Sequence, residues 1–161
     1  LPHVKSSKVV MVEDDDYYHP DWLITASTLL NSYDIIGKSS VIYYNIPSKS
    51  YYFTNYFKDY PEITNPMVQT AFKSSYIPIL VTICKKNIIQ IDNELWKAVE
   101  GSKYLLDTPE SLYLVIGIKG MPGRPGITKK HTMPLPYEDP FLENFKHFIG
   151  ENHVHYLKYF T

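Results

Sequence analysis

An α/β fold is the architecture this chain predicts, and three observations predict it. Short apolar runs rich in β-branched residues alternate with segments of helical period along most of the length. The run Val9-Val10-Met11-Val12 stops abruptly at the carboxylates Glu13, Asp14, Asp15 and Asp16, and a proline-led helical segment follows. No internal repeat or low-complexity tract interrupts the alternation.

Taken in order, Lys8 to Val12 reads as a buried strand. Pro20 suits the first turn of a helix running to Asn31, with Trp22, Leu23, Ala26, Leu29 and Leu30 at helical spacing. Ser32-Tyr33 turns into a short strand, Asp34-Ile35-Ile36, ended by Gly37. Val41 to Tyr44 is a further strand. Residues 45–66, rich in Tyr, Ser, Asn and Pro and poor in period, read as a long loop of the kind that is functional or mobile. Val68 to Phe72 is a strand candidate. Lys73 to Cys84 is apolar but contains Pro78, which leaves its type open. Asn87 to Ile91 reads as extended, and Asp92 as the cap of a helix reaching Glu100. Ser111 to Ile118 is a strongly apolar strand. The stretch from Gly120 to Gly126, with its prolines and glycines, is a loop. Pro140 to Ile149 reads as an amphipathic helix ended by Gly150, before an aromatic tail holding His153 and His155.

Composition narrows the function classes. At 161 residues and 44% hydrophobic, the chain suits one domain with a full core. We divide it into a core over residues 8–131 and a helical, aromatic extension over 132–161. A net charge of −1 supplies no global basic field for nucleic acid or an anionic membrane. One cysteine, Cys84, forms no internal disulfide and no cysteine-rich zinc site, and fits a reducing compartment or simple burial. No apolar run nears the roughly 18 residues of a membrane span, and no signal peptide heads the chain, so the expected location is cytoplasmic. The 15 tyrosines cluster at Tyr17-Tyr18, Tyr43-Tyr44, Tyr51-Tyr52 and Tyr56 with Tyr60, where rings either stack on sugars or pack.

Four adjacent acids at a strand end repel one another, and a cation relieves that repulsion. Strand carboxyl ends are also where open α/β sheets hold ligands. The alternative is a solvated acidic turn. Oxygen-only ligands suit Mg²⁺ or Mn²⁺, hard cations that bridge carboxylates and a diphosphate, and an added imidazole favours Mn²⁺. A calcium loop of EF-hand type fails, because Tyr18 falls on its third ligand position and His19 on its required glycine. An aspartyl-phosphate phosphatase fits Asp14 and Asp16 but expects Thr or Val where Tyr18 stands.

The segment from Val10 to Leu23, Val-Met-Val-Glu-Asp-Asp-Asp-Tyr-Tyr-His-Pro-Asp-Trp-Leu, resembles the metal-binding acidic motif of GT-A fold glycosyltransferases, particularly family 2. Downstream, Asp34-Ile35-Ile36-Gly37, Thr70-Ala71-Phe72-Lys73-Ser74-Ser75 and Ile91-Asp92-Asn93-Glu94-Leu95-Trp96 follow in similar order. The stretch from Gly117 to His131 resembles the donor-closing loop that ends in a metal-binding histidine. The resemblance spans roughly residues 8–131. It implies a GT-A fold, Rossmann-like, with a mixed sheet flanked by helices, of which this chain is a C-terminal portion. The nucleotide-binding half would precede the acids or come from a partner chain.

The resemblance implies a set of site residues. Anchoring on Pro20 puts Glu13, Asp15 and Asp16 at the acidic positions, and anchoring on Asp-x-Asp puts Asp14 and Asp16 there. Asp16 ranks first as metal ligand, with Asp15 and Asp14 behind it and His131 completing the shell; Glu13 binds the donor. Arg124, Lys119, Lys129 and Lys130 supply positive charge for a diphosphate. Asp92 is the candidate general base and Glu94 the runner-up, a helix cap being the alternative for Asp92. His131 and the lysines read otherwise as a solvated basic surface. Trp96 reads first as core packing, and metal binding by His153 and His155 carries little weight. The implied activity is metal-dependent, inverting transfer of a sugar from a nucleotide-diphosphate donor to a glycan or other hydroxyl acceptor. The contrasting expectation is a non-catalytic glycan-binding or structural subunit on a truncated scaffold of the same kind.

Overall fold

The computed structural model describes residues 4–55, 69–86, 91–122 and 136–160. They form a mixed α/β fold with two mixed sheets rather than the single sheet expected. The first sheet runs β1 (Lys8–Val10), β6 (Ala71–Lys73), β3 (Ile35–Lys38), β7 (Lys103–Leu106). The second runs β2 (Tyr17–Tyr18), β8 (Val115–Lys119), β4 (Ser40–Asn45), β5 (Ser50–Asn55), β9 (Tyr137–Glu138). The helices are α1 (Pro20–Leu29), α2 (Ile77–Lys85), α3 (Ile91–Ala98) and α4 (Glu143–Ile149).

Each sheet holds one parallel pair among the described residues. β3 lies parallel to β7, and β4 lies parallel to β8. The chain passes from β3 to β4 through the single residue Ser39, whose hydroxyl donates to the Asp107 carboxylate. Gly37 therefore continues β3 instead of ending it. Lys38 is fully buried beside this crossing, and its Nζ donates to the Leu112 and Val115 carbonyls, each at 3.2 Å. Burial pushes its amine down to about 7.

Among the described residues, three apolar clusters fill the layers. Trp22 and Ala26 from α1 and its C-cap Leu30 pack with Ile36, Ala71 and Val115, one residue from each of three strands. Ile35 and Phe72 meet α2 and α3 through Leu80, Ile83, Leu95 and Trp96. The opposite side of the second sheet, with Ile42, Tyr44, Ile116 and Ile118, is closed by Phe145, Phe148 and Ile149 of α4, and Tyr156, Tyr159 and Phe160 of the tail pack against it. Asp139 anchors that closure: its carboxylate accepts from the Tyr44 hydroxyl and from the amides of Asn144 and Phe145.

Several expectations are corrected. β1 is short and only half-buried, because it pairs with β6 alone at its sheet's edge, and Val12 beyond it is exposed. α1 stops at Leu29, and Leu23 faces out at 55% exposure. Within 45–66, Ser50–Asn55 is a strand hairpinned to β4, since the aromatic and hydroxyl residues there pair across from Ser40–Asn45; residues 56–66 lie outside the described ones. β6 begins at Ala71; Val68 is not described. Lys73–Cys84 resolves into a 3₁₀ turn, Ser74–Tyr76, and α2, with Pro78 tolerated in its first turn. Residues 87–90 of the extended segment are not described, and Ile91 already belongs to α3, which places Asp92 inside the first turn and ends the helix at Ala98. Ser111 to Tyr113 closes a 3₁₀ turn capped by Thr108, so β8 starts only at Val115. α4 starts at Glu143 after a left-handed Leu142, and Gly150 follows it with φ 56°. Of the Gly120–Gly126 loop, Gly120 to Pro122 are described, with Gly120 at φ 81°. No helix among the described residues is long and apolar enough to cross a membrane.

Candidate functional site

The chain leaves β1, turns through the acids and re-enters order as β2, which pairs antiparallel with the start of β8. The turn is pinned at both ends. The Glu13 amide donates to the Tyr18 hydroxyl at 2.8 Å, and the His19 amide donates to the Leu114 carbonyl at 2.9 Å. α1 then starts at once, with Pro20 in its first turn and His19 Nδ1 accepting from the Asp21 amide.

Pinned this way, Glu13, Asp15 and Asp16 each offer a carboxylate oxygen within 4.8 Å of the others. Asp14 is not a member of that group. Oxygens sharing a Mg²⁺ ion stand at most about 4.2 Å apart, so small side-chain rotations close the set. Glu13 is exposed, Asp15 half-buried and Asp16 buried, so the group opens to solvent on one side and is rooted in the protein on the other.

Asp16 is the root. Its Oδ1 accepts from the Ile118 amide at 2.7 Å and lies 3.4 Å from Lys119 Nζ. Its Oδ2 is buried without a hydrogen-bond partner. Among the described residues, buried side-chain polar atoms lacking a partner occur on Asp16, Trp22 and Gln69, and Asp16 alone of these carries charge. Burial raises its carboxyl to about 6, against the opposing pull of Lys119 and the Ile118 amide. The Glu13 carboxyl is raised too, first by desolvation and then by the charges of Asp15, Asp92 and Asp14, with Lys119 opposing. Tyr18 is raised above the ordinary tyrosine range, mainly by burial.

The donor set suits a hard divalent cation. Three carboxylates and the Lys119 ammonium leave a formal charge of −2 when all are ionised, which one such cation cancels. A cation would also satisfy the orphaned Oδ2, a group that otherwise costs desolvation energy without return.

The remaining candidates fall in different places. Asp92 is half-buried in the first turn of α3, near enough for its charge to act on Glu13. Glu94 pairs with Lys97 at 3.1 Å and lines a groove of about 320 Å³ with Pro78, Ile79 and Thr82, between α2 and α3. Trp96 is buried, its indole donating to Thr70 Oγ1 at 3.0 Å. His153 Nδ1 lies 2.8 Å from the Gly150 carbonyl. Arg124, Lys129, Lys130 and His131 lie outside the described residues.

Sequence reasoning missed four contributors. The Ile118 amide reaches Asp16 from 102 residues away, and a backbone donor leaves no sequence signal. Tyr18 was visible within the motif, but its part in holding Glu13 was not. Gly117 and Tyr43 bear on Lys119 through a cross-strand pairing that no local pattern announces.

No protein-family model, curated protein or solved structure matches this chain.

Proposed function

We propose that this chain is the metal-binding and acceptor-side part of a GT-A type, inverting glycosyltransferase, using Mn²⁺ or Mg²⁺ and a nucleotide-diphosphate sugar. The observation that carries the reading is Asp16, a buried carboxylate with one oxygen held by the Ile118 amide and the other orphaned, set beside Glu13 and Asp15. The order of sequence motifs after the acids supports the same reading.

In this account Asp16, Asp15 and Glu13 hold the cation. When bound, it would stabilise the negative charge that develops on a diphosphate leaving group. Lys119, already at the cluster's edge, adds positive charge on the same side. Asp92, in the first turn of α3, takes the acceptor hydroxyl's proton. Glu94, engaged with Lys97 over the α2–α3 groove, is assigned no part in proton transfer.

A second reading, a glycan-binding module without turnover, draws on the exposed rings Phe53, Tyr137 and Phe141. Calorimetric titration of Mn²⁺ with and without uridine, guanosine and thymidine diphosphates separates the two. Metal binding that tightens with one nucleotide supports the transferase. Absence of any metal binding, with glycan binding retained, supports the module.

A further inference from the structure

Lys119 is held over the acid cluster by its surroundings as well as by Asp16. Its Nζ stands 5.4 Å from the centre of the Tyr43 ring, a cation–π distance, and 3.4 Å from Asp16 Oδ1. Tyr43 pairs with Gly117 across the parallel β4–β8 ladder and with Tyr52 across the antiparallel β4–β5 ladder. Its ring meets the Tyr52 ring at 5.2 Å on one side. On the other it covers Gly117, where an added Cβ would stand 2.5 Å from Tyr43 Cε1 and closer still to Cδ1. Any side chain at 117 would lift that ring from its place. The absence of a Cβ at Gly117 therefore decides where the ring lies, and the ring decides where the ammonium of a four-carbon, otherwise freely rotating side chain stays.

We propose that Tyr43 and Gly117 are positioning residues that aim the Lys119 ammonium at an anionic diphosphate group bound through the acid cluster. The proposal rests on the metal-site reading above. Asp16 holds the ammonium while its oxygens are free for it. A cation on those same carboxylates competes with the ammonium electrostatically and leaves it directed at the ligand's phosphate oxygens, with Tyr43 still beneath it. Lys119 thus opposes bare cation binding and favours binding of the anion, two effects of opposite sign from one charge. A merely structural role for Tyr43 moves neither in that pattern.

The test uses the full chain, with Mn²⁺ alone and then inorganic pyrophosphate added under excess Mn²⁺, followed by calorimetry. Lys119→Met is expected to tighten bare Mn²⁺ and to weaken pyrophosphate by about tenfold or more. Tyr43→Leu is expected to move both affinities in the same directions, by about three- to tenfold, whereas Tyr43→Phe, which keeps the ring, stays within about twofold of wild type. Thermal melts of each variant verify folding, and the Leu-to-Phe contrast keeps the result independent of a general loss of stability. Equal behaviour of Tyr43→Leu and Tyr43→Phe, with Lys119→Met altered, overturns the positioning role. A wild-type chain that binds no Mn²⁺ overturns the metal reading itself, and that outcome shows before any variant is made.

Discussion

Ile118 donates its backbone amide to Oδ1 of Asp16 at 2.7 Å, while Oδ2 of the same carboxyl is buried with no partner. One oxygen is thus fixed by β8 and the other kept from water, an arrangement that costs stability until something binds.

That cost has a pH signature. The folded chain holds the Asp16 proton up to about 6, against 3.8 ordinarily, so the folded state binds protons more tightly than the unfolded. Its contribution is most favourable below the ordinary value and is lost as pH rises through about 6. Asp16→Asn, which cannot ionise and can still accept from Ile118, should therefore gain on the metal-free wild type between pH 4 and 7, by on the order of 2 kcal/mol. Denaturant melts of both proteins at several pH values measure the difference; a constant gap across that range contradicts it.

Lys38 gives the opposite slope. Its amine is held near 7 when folded, below the ordinary 10.5, so the unfolded chain binds the proton more tightly. The penalty is full below pH 7 and shrinks as pH rises towards 10.5. Relative to Lys38→Met, wild type should gain roughly 2 kcal/mol between pH 7 and 9, read by the same melts.

How much of this was legible in the sequence differs by element. α1 announced itself through Pro20 and the spacing of Trp22, Ala26 and Leu30, and α4 through its apolar face ahead of Gly150. β5 did not, because its alternation is carried by tyrosines among Ser, Asn and Pro residues that read as loop. β2 and β9 hold two residues each, too few for a period, and β7 is defined by its parallel partner β3 more than by its own four residues. Within the site, the chemical oddity of Glu13 to Asp16 was plain. Which three carboxylates converge was not, because Tyr18 and Ile118 decide that from outside the run.

Gly117→Ala tests the close packing of β8 on β4. The new methyl must displace the Tyr43 ring, and we expect a loss of about 1–3 kcal/mol. Adding Tyr43→Ala should recover part of it, so a double-mutant cycle should show coupling; strict additivity contradicts the contact.

Asp139→Ala should loosen α4 and the tail. It strands the buried Tyr44 hydroxyl and Phe145 amide and leaves the Asn144 amide without its partner, at roughly 2–4 kcal/mol in equilibrium unfolding. Hydrogen exchange should speed first in Glu143–Ile149.

The most direct test of the central claim is a Mn²⁺ titration of wild type beside Asp16→Asn and Asp14→Asn. The account predicts one bound cation in wild type, none in Asp16→Asn, and affinity within a few-fold of wild type in Asp14→Asn, since Asp14 stands outside the converging group. No binding by wild type, or binding that survives Asp16→Asn and fails in Asp14→Asn, would contradict it.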